Sequence, residues 1–176
     1  MFLKTEKRRQ KLLEKLKDSQ KAIIGSQLAE EFGVSRQVIV QDIALLRARG
    51  EQILATSQGY LFPENVGLDT VKATIACKHG EDDEVEDELM TIVNYGAKII
   101  DVIVEHPIYG EIKGMLMIQS AEDVKNFIKN YKENGANLLA TLTDGIHLHT
   151  IEAINENVIE KIREDLDQKG YLLEKQ

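Results

Sequence analysis

The chain has 176 residues, 43% hydrophobic and 30% charged, which suits one medium domain or two small ones and excludes a large multidomain enzyme. A single cysteine, Cys77, excludes an intramolecular disulfide and an all-cysteine zinc cluster, no apolar run reaches the ~20 residues of a membrane span, and the start MFLKTEKRRQ has no apolar leader stretch, so a cytoplasmic protein with a reduced thiol and no membrane association is expected. The net charge of −8 averages two unlike parts: residues 1–62 hold 11 Lys and Arg against 7 Asp and Glu, a net +4, and residues 63–176 hold 11 against 23, a net −12. A basic third joined to an acidic remainder predicts two tasks in one chain, the first open to nucleic acid.

In chain order, residues 6–17 are predicted as a helix with Leu12, Leu13 and Leu16 on one side. Ser26 is a good N-cap for a second helix, SQLAEEF, which Gly33 ends. Ser35 opens a third, SRQVIVQDIALLRAR, running to Gly50. QILATSQGYLF then reads as two short strands about a turn at Ser57, Gln58 and Gly59. The aperiodic stretch FPENVG at 62–67 marks a break, giving domains at 1–63 and 70–176. Beyond it, 71–77 reads as a strand, 82–94 as a helix, and 99–105 and 112–119 as strands joined through HPIYG. Ser120 and Asp123 open a further helix in the manner of a capping box. Residues 138–143 and 146–150 are β-prone about the turn signal Asp144-Gly145, and 155–169 form a last helix closed by Gly170. This mixed order predicts an α+β sandwich with its helices on one face of the sheet.

Helix, tight glycine turn, helix and hairpin is the layout of a winged helix-turn-helix, whose recognition helix enters the major groove. At ~100° per residue, Ile39, Ile43 and Leu46 share the core side of the third helix. Gln37, Gln41, Ala44 and Ala48 share the opposite side, with no carboxylate and no large apolar residue among them. Glutamine suits bidentate contact with adenine, and arginine reads guanine or phosphate. The candidate DNA contacts are therefore Ser35 and Arg36 at the helix start, with Gln37 and Gln41. The alternative is a solvated face of a generic three-helix unit; the order of elements and the local positive charge favour DNA. SQLAEEFGVSRQVIVQDIALLRARG followed by ATSQGY resembles the winged helix-turn-helix of biotin-repressor-type and sugar-responsive bacterial regulators, over about residues 5–62. Gln41 departs from the basic residue that many of them carry, which bears on base preference and not on the groove. The wing tip, Ser57-Gln58, is uncharged and should add little phosphate attraction.

All four histidines fall in the acidic part. His147 and His149, two apart in a β-prone run, point to one face ~7 Å apart along the strand, a spacing that suits a shared metal ion. His79 follows directly on the strand that ends at Cys77. In the helix at 82–94, Val85, Leu89, Ile92 and Val93 form the apolar stripe, Glu88 falls at its edge, and Asp87 points away. A carboxylate at a core edge is costly without a partner, so Glu88 is the preferred ligand. Glu81, Asp82, Asp83 and Glu84 read as first-turn acids favoured by the helix dipole. Three imidazoles and a carboxylate suit Zn²⁺, Ni²⁺ or a similar ion. The alternatives are a surface or interface histidine pair, and simple hydrogen-bonded roles for His79 and His106; Cys77 reads as a small buried residue.

CKHG, DELM, DVIVEHPIYGEIKG and TDGIHLHTIEA together resemble the 3H domain, named for its histidines, over about residues 71–173. A winged helix-turn-helix joined to a 3H domain is the arrangement of the niacin-responsive repressors of NAD biosynthesis and niacin uptake genes. The resemblance implies an HPr-like open-faced α+β fold, a homodimer on double-stranded operator DNA, and nicotinate (nicotinic acid) as co-repressor. It also implies one divalent ion, nickel or zinc, per chain at His79, Glu88, His147 and His149, with Asp87 or Glu84 as alternatives to Glu88. The shared parity of Leu142, Ile146 and Leu148 would turn His147 and His149 away from a core that the 82–94 helix covers. A register reset at Asp144-Gly145 removes the conflict, and completion of the site by a second chain is the alternative. His106, on the parity of Ile100, Val102 and Val104 and kept extended by Pro107, is a candidate with Tyr109 to line a pocket for an aromatic carboxylate, or else an anchor of its hairpin. Two rival functions are a metal sensor and a metal-dependent hydrolase; against the second, no general acid or base accompanies the site and no Gly-rich phosphate loop occurs.

Overall fold

A computed structural model describes residues 2–63, 70–80 and 82–173. Two units form, Met1–Val66 and Gly67–Gln176. Residues 64–67 of the expected break and the expected first-turn acid Glu81 lie outside the described residues.

The first unit runs α1 (Phe2–Asp18), α2 (Gly25–Glu31), α3 (Arg36–Ala48), β1 (Leu54–Thr56) and β2 (Gly59–Leu61). Leucine and isoleucine at helical spacing build its core: Leu12, Leu16, Leu28, Ile39, Ile43, Leu46 and Ile53. Ser26 is not the cap of α2; the helix starts at Gly25, after an extended Ile24 that makes no side-chain cap bond. The cause is tertiary. Ile23 exchanges two backbone hydrogen bonds with Tyr60 of the hairpin, at 2.8 and 2.9 Å, and so fixes where the chain must turn. Gly59 permits that approach, because a Cβ there would lie 2.5 Å from the Ile23 carbonyl oxygen. Ser35 does cap α3, its hydroxyl accepting from the Val38 N–H.

The second unit runs β3 (Val71–Lys78), α4 (Asp82–Asn94), β4 (Lys98–His106), β5 (Gly110–Ile118), α5 (Ala121–Asn134), a 3₁₀ turn (Leu139–Thr143), β6 (Ile146–Ala153) and α6 (Glu156–Gln168). All strand pairs are antiparallel, in the order β3-β6-β4-β5. Ile75, Ile99, Leu116, Ile118 and Ile151 from the sheet pack with Leu89, Ile92, Val124, Ile128, Ile159, Ile162 and Leu166 from the helices. The result is the α+β architecture expected, open on one side. After α6, Tyr171–Leu173 runs beside β3, the Lys78 N–H donating to Tyr171 and the Leu173 N–H to Ala76. Among the described residues no helix is long and apolar enough to cross a membrane.

In this unit one local expectation fails and another is met only in part. Residues 139–143 form a 3₁₀ turn and not a strand: Thr141 and Thr143 turn their hydroxyls onto the carbonyls of Leu138 and Ala140, satisfying locally what a ladder would have satisfied. In α5 the Ser120 hydroxyl accepts from the Asp123 N–H, but the Asp123 carboxylate reaches back to the Gln119 N–H, one residue past the Ser120 N–H that would close the box.

Candidate functional site

Alternation along β6 buries His147, His149, Ile151 and Ala153 toward the helices. The reset occurs at Asp144 (φ 51°) and Gly145 (φ 86°), so Leu142 and Ile146 end up exposed and the histidine face looks inward. α4 lies over that face and brings Glu88 to it fully buried. Glu88 Oε2 stands 2.6 Å from His79 Nε2, 3.2 Å from His147 Nε2 and 3.7 Å from His149 Nε2. The four residues meet within a single chain.

Backbone carbonyls set the tautomers. His147 Nδ1–H donates to Gly145 O at 2.9 Å and His149 Nδ1–H to Asp101 O at 2.7 Å. A carbonyl only accepts, so each Nδ1 carries the hydrogen, and each ring, when neutral, turns its Nε2 lone pair toward Glu88. Lone pairs facing a carboxylate repel unless a proton or a metal cation lies among them. Among the described residues Glu88 Oε1, which is buried, has no hydrogen-bond partner, leaving an anionic oxygen with unused donor capacity. Burial acts to raise the Glu88 pKa, but the charge of His149 and hydrogen bonds from the three rings hold it well below the usual carboxylate range. Burial likewise opposes charging of His147, yet the Glu88 hydrogen bond and charge outweigh it and raise that pKa. Three Nε2 atoms, an orphaned carboxylate oxygen and outer hydrogen bonds that aim two of the rings would suit a first-row divalent ion.

Two supporting residues escaped the sequence reading. Asp101 sits where the β4 register shifts between Ile99 and Asp101. Its carboxylate takes the Thr150 N–H, at 3.0 Å, and its carbonyl is left to orient His149. Gly145 O accepts from the His79 N–H as well as from His147, and a Cβ at Gly145 would lie 1.9 Å from His79 O. Neither role has a sequence signal, since both act through the main chain.

Asp87 points outward, where Lys169 binds both carboxylate oxygens at 2.9 and 3.0 Å and lowers its pKa. The Tyr171 hydroxyl also donates to Asp87, and burial together with that carboxylate pushes the phenol up to about 12. Asp82, Asp83 and Glu84 occupy the first turn of α4, Glu84 accepting from the Gly80 N–H. Asp87 and Glu84 thus have other partners.

A small cavity of about 40 Å³ opens against the histidines. Its apolar wall includes Val85, Leu89, Val102, Leu116, Phe127 and Leu139, its polar end is Glu88 with His79, His147 and His149, and among the described residues no Lys or Arg lines it. His106 and Tyr109, the candidates to line a pocket for an aromatic carboxylate, are not among the residues lining this cavity. Tyr109 is 75% exposed at the β4–β5 hairpin, and His106 Nδ1 accepts from the Ile108 and Tyr109 N–H groups, anchoring that turn. Ile100 falls in the β4 register shift, so Ile99 and not Ile100 precedes Val102 on the core side, while His106 is the last residue of β4, at the hairpin turn.

On the first unit, Ser35, Arg36, Gln37, Gln41, Ala44 and Ala48 are exposed together along α3, with Leu45 also 39% exposed beside them. The opposite side is pinned by Asp42, buried and held by Arg8 Nε at 2.7 Å.

A helix-turn-helix with a bare polar recognition face, carried on one chain with a second unit that encloses a polar-ended cavity, defines a DNA-binding regulator. The comparisons agree: the 3H domain family matches residues 72–175 and a helix-turn-helix domain family matches residues 8–61. The chain is 44% identical over 176 residues to the probable transcription repressor NiaR of Thermotoga maritima, covering 99% of each protein. It is 41% identical over 168 residues to the transcription repressor NadR of Bacillus subtilis, covering 94% of this chain and 93% of that one. The chain belongs to the 3H-domain family of transcription repressors that includes NiaR and NadR, and is a DNA-binding repressor, not an enzyme.

Proposed function

We propose that this repressor uses nicotinate as co-repressor and one divalent ion, nickel or zinc, per chain, and controls genes of NAD biosynthesis or niacin transport. The observation that carries the reading is the polar end of the cavity, where Glu88, His79, His147 and His149 converge beside an apolar wall. A small aromatic carboxylate matches that division, its ring against the wall and its anion at the polar end. The anion needs a positive partner there, because the wall offers no Lys or Arg and residues 63–176 carry a net −12. A bound ion would supply that charge and an open position for the carboxylate. The chain's own residues orient and exclude water: Gly145 and Asp101 aim the rings, and Leu139 and Phe127 cover the cavity. Resemblance to the niacin-responsive repressors supplies nicotinate as the effector. It also supports a homodimer, in which each copy presents Ser35, Arg36, Gln37 and Gln41 to one half-site.

The test is operator binding with metal and nicotinate each present or absent, using DNA upstream of niacin-uptake and NAD-biosynthesis genes of the source genome. Tight binding only with both ligands is expected, with nicotinamide a poor substitute and with the response lost in His147→Ala/His149→Ala. Tight binding with metal alone would make the protein a metal sensor. Nicotinate affinity that survives complete metal removal would move the effector out of this cavity.

A further inference from the structure

Cys77 stands opposite His147 in the β3–β6 ladder and is fully buried on the core side of the sheet. Its sulfur and the donor atoms of Glu88 and His147 all lie within 4.8 Å of one another. Glu88 also carries Oε1, buried and, among the described residues, lacking a hydrogen-bond partner. A purely apolar role for Cys77 would set a soft donor within reach of that carboxylate by coincidence. Tyr171–Leu173 closes over the outer edge of β3 at this level, pairing Leu172 with Cys77, so the thiol is turned toward the centre and away from solvent.

We propose that Cys77 is a further donor to the metal centre, binding as thiolate and releasing one proton to solvent, and that it tunes the site to thiophilic first-row ions. The proposal rests on the metal reading above. Soft sulfur selects zinc, cobalt or copper over magnesium or calcium, whereas imidazoles and a carboxylate alone discriminate less.

The experiment is a titration of the full chain, stripped of metal, with cobalt(II) chloride. Visible d–d bands report cobalt at the centre, and an intense near-ultraviolet sulfur-to-cobalt band reports Cys77. The wild type is expected to show both. Cys77→Ser should keep the visible bands, lose the ultraviolet band and bind cobalt about tenfold more weakly, as lost metal-site partners typically do. Circular dichroism checks that the variant folds, and if it does not, the wild-type spectrum decides alone. Visible bands without the ultraviolet band in the wild type overturn the Cys77 assignment and leave the metal reading standing. Visible bands absent altogether, or retained in His147→Ala/His149→Ala, overturn the metal reading itself.

Discussion

At the scale of residues, the four ligand candidates compete for protons and for an ion, and this fixes a pH signature. Without metal, His147 has a raised pKa, so its pairing with Glu88 stabilises the fold fully below the ordinary imidazole value of ~6.5. That stabilisation is lost as pH rises through the raised value. Glu88, with its pKa depressed, contributes stability above the ordinary carboxylate range and loses it only as pH falls through the depressed value. With metal, neutral imidazole is the ligand, so stabilisation by the ion grows with pH. The melting temperature of chelated protein should therefore fall from pH ~6 to ~8 while that of loaded protein rises or holds. Parallel curves from calorimetry would contradict an ion at these residues. Much of this constellation was legible in the sequence. Period-2 placement paired His147 with His149, and the edge of an apolar stripe singled out Glu88 over Asp87. Asp101 and Gly145 were illegible because a carbonyl is the same in every residue, and only the fold shows where it is aimed.

At the scale of elements, the α3 segment is where pattern and structure agree best. Its cap, core side and bare side follow from one helical period. Arg36→Ala is expected to weaken all DNA sequences about equally and to reduce the salt dependence. Gln37→Ala and Gln41→Ala should relax preference at particular base pairs by ~1–3 kcal/mol each. Ranking a panel of operator variants checks this, and an unchanged ranking would remove α3 from the groove. The elements misread are those whose form depends on distant partners. Residues 139–143 carry β-branched threonines, yet no neighbouring strand takes them up, and their hydroxyls close a 3₁₀ turn. α2 begins one residue before its obvious cap because Tyr60, far along the chain, pins Ile23.

At the scale of the whole molecule, the overall acidity conceals a basic DNA-reading unit, so operator affinity should fall steeply with salt in spite of the net −8. Composition overstates the number of contacts, however. Arg8 and Arg9 approach Asp42, Lys15 pairs with Glu31, Lys17 with Glu51 and Arg49 with Glu6. Cations engaged in this way release few counterions, so each copy should show fewer phosphate contacts than the 11 Lys and Arg of residues 1–62. A log–log plot of affinity against salt measures the number, at a slope of ~0.9 per contact. An affinity indifferent to salt would rule out this mode of binding. The Asp144-Gly145 turn matters at this scale too. It joins the 3₁₀ turn bearing Leu139 to the strand bearing His147 and His149, and the Gly145 carbonyl holds both the His79 amide and the His147 ring. Two of the four ligand candidates thus share one tether, a single peptide next to the turn that lines the cavity. A change in the orientation of that one peptide would therefore bear on two of the four candidates at once.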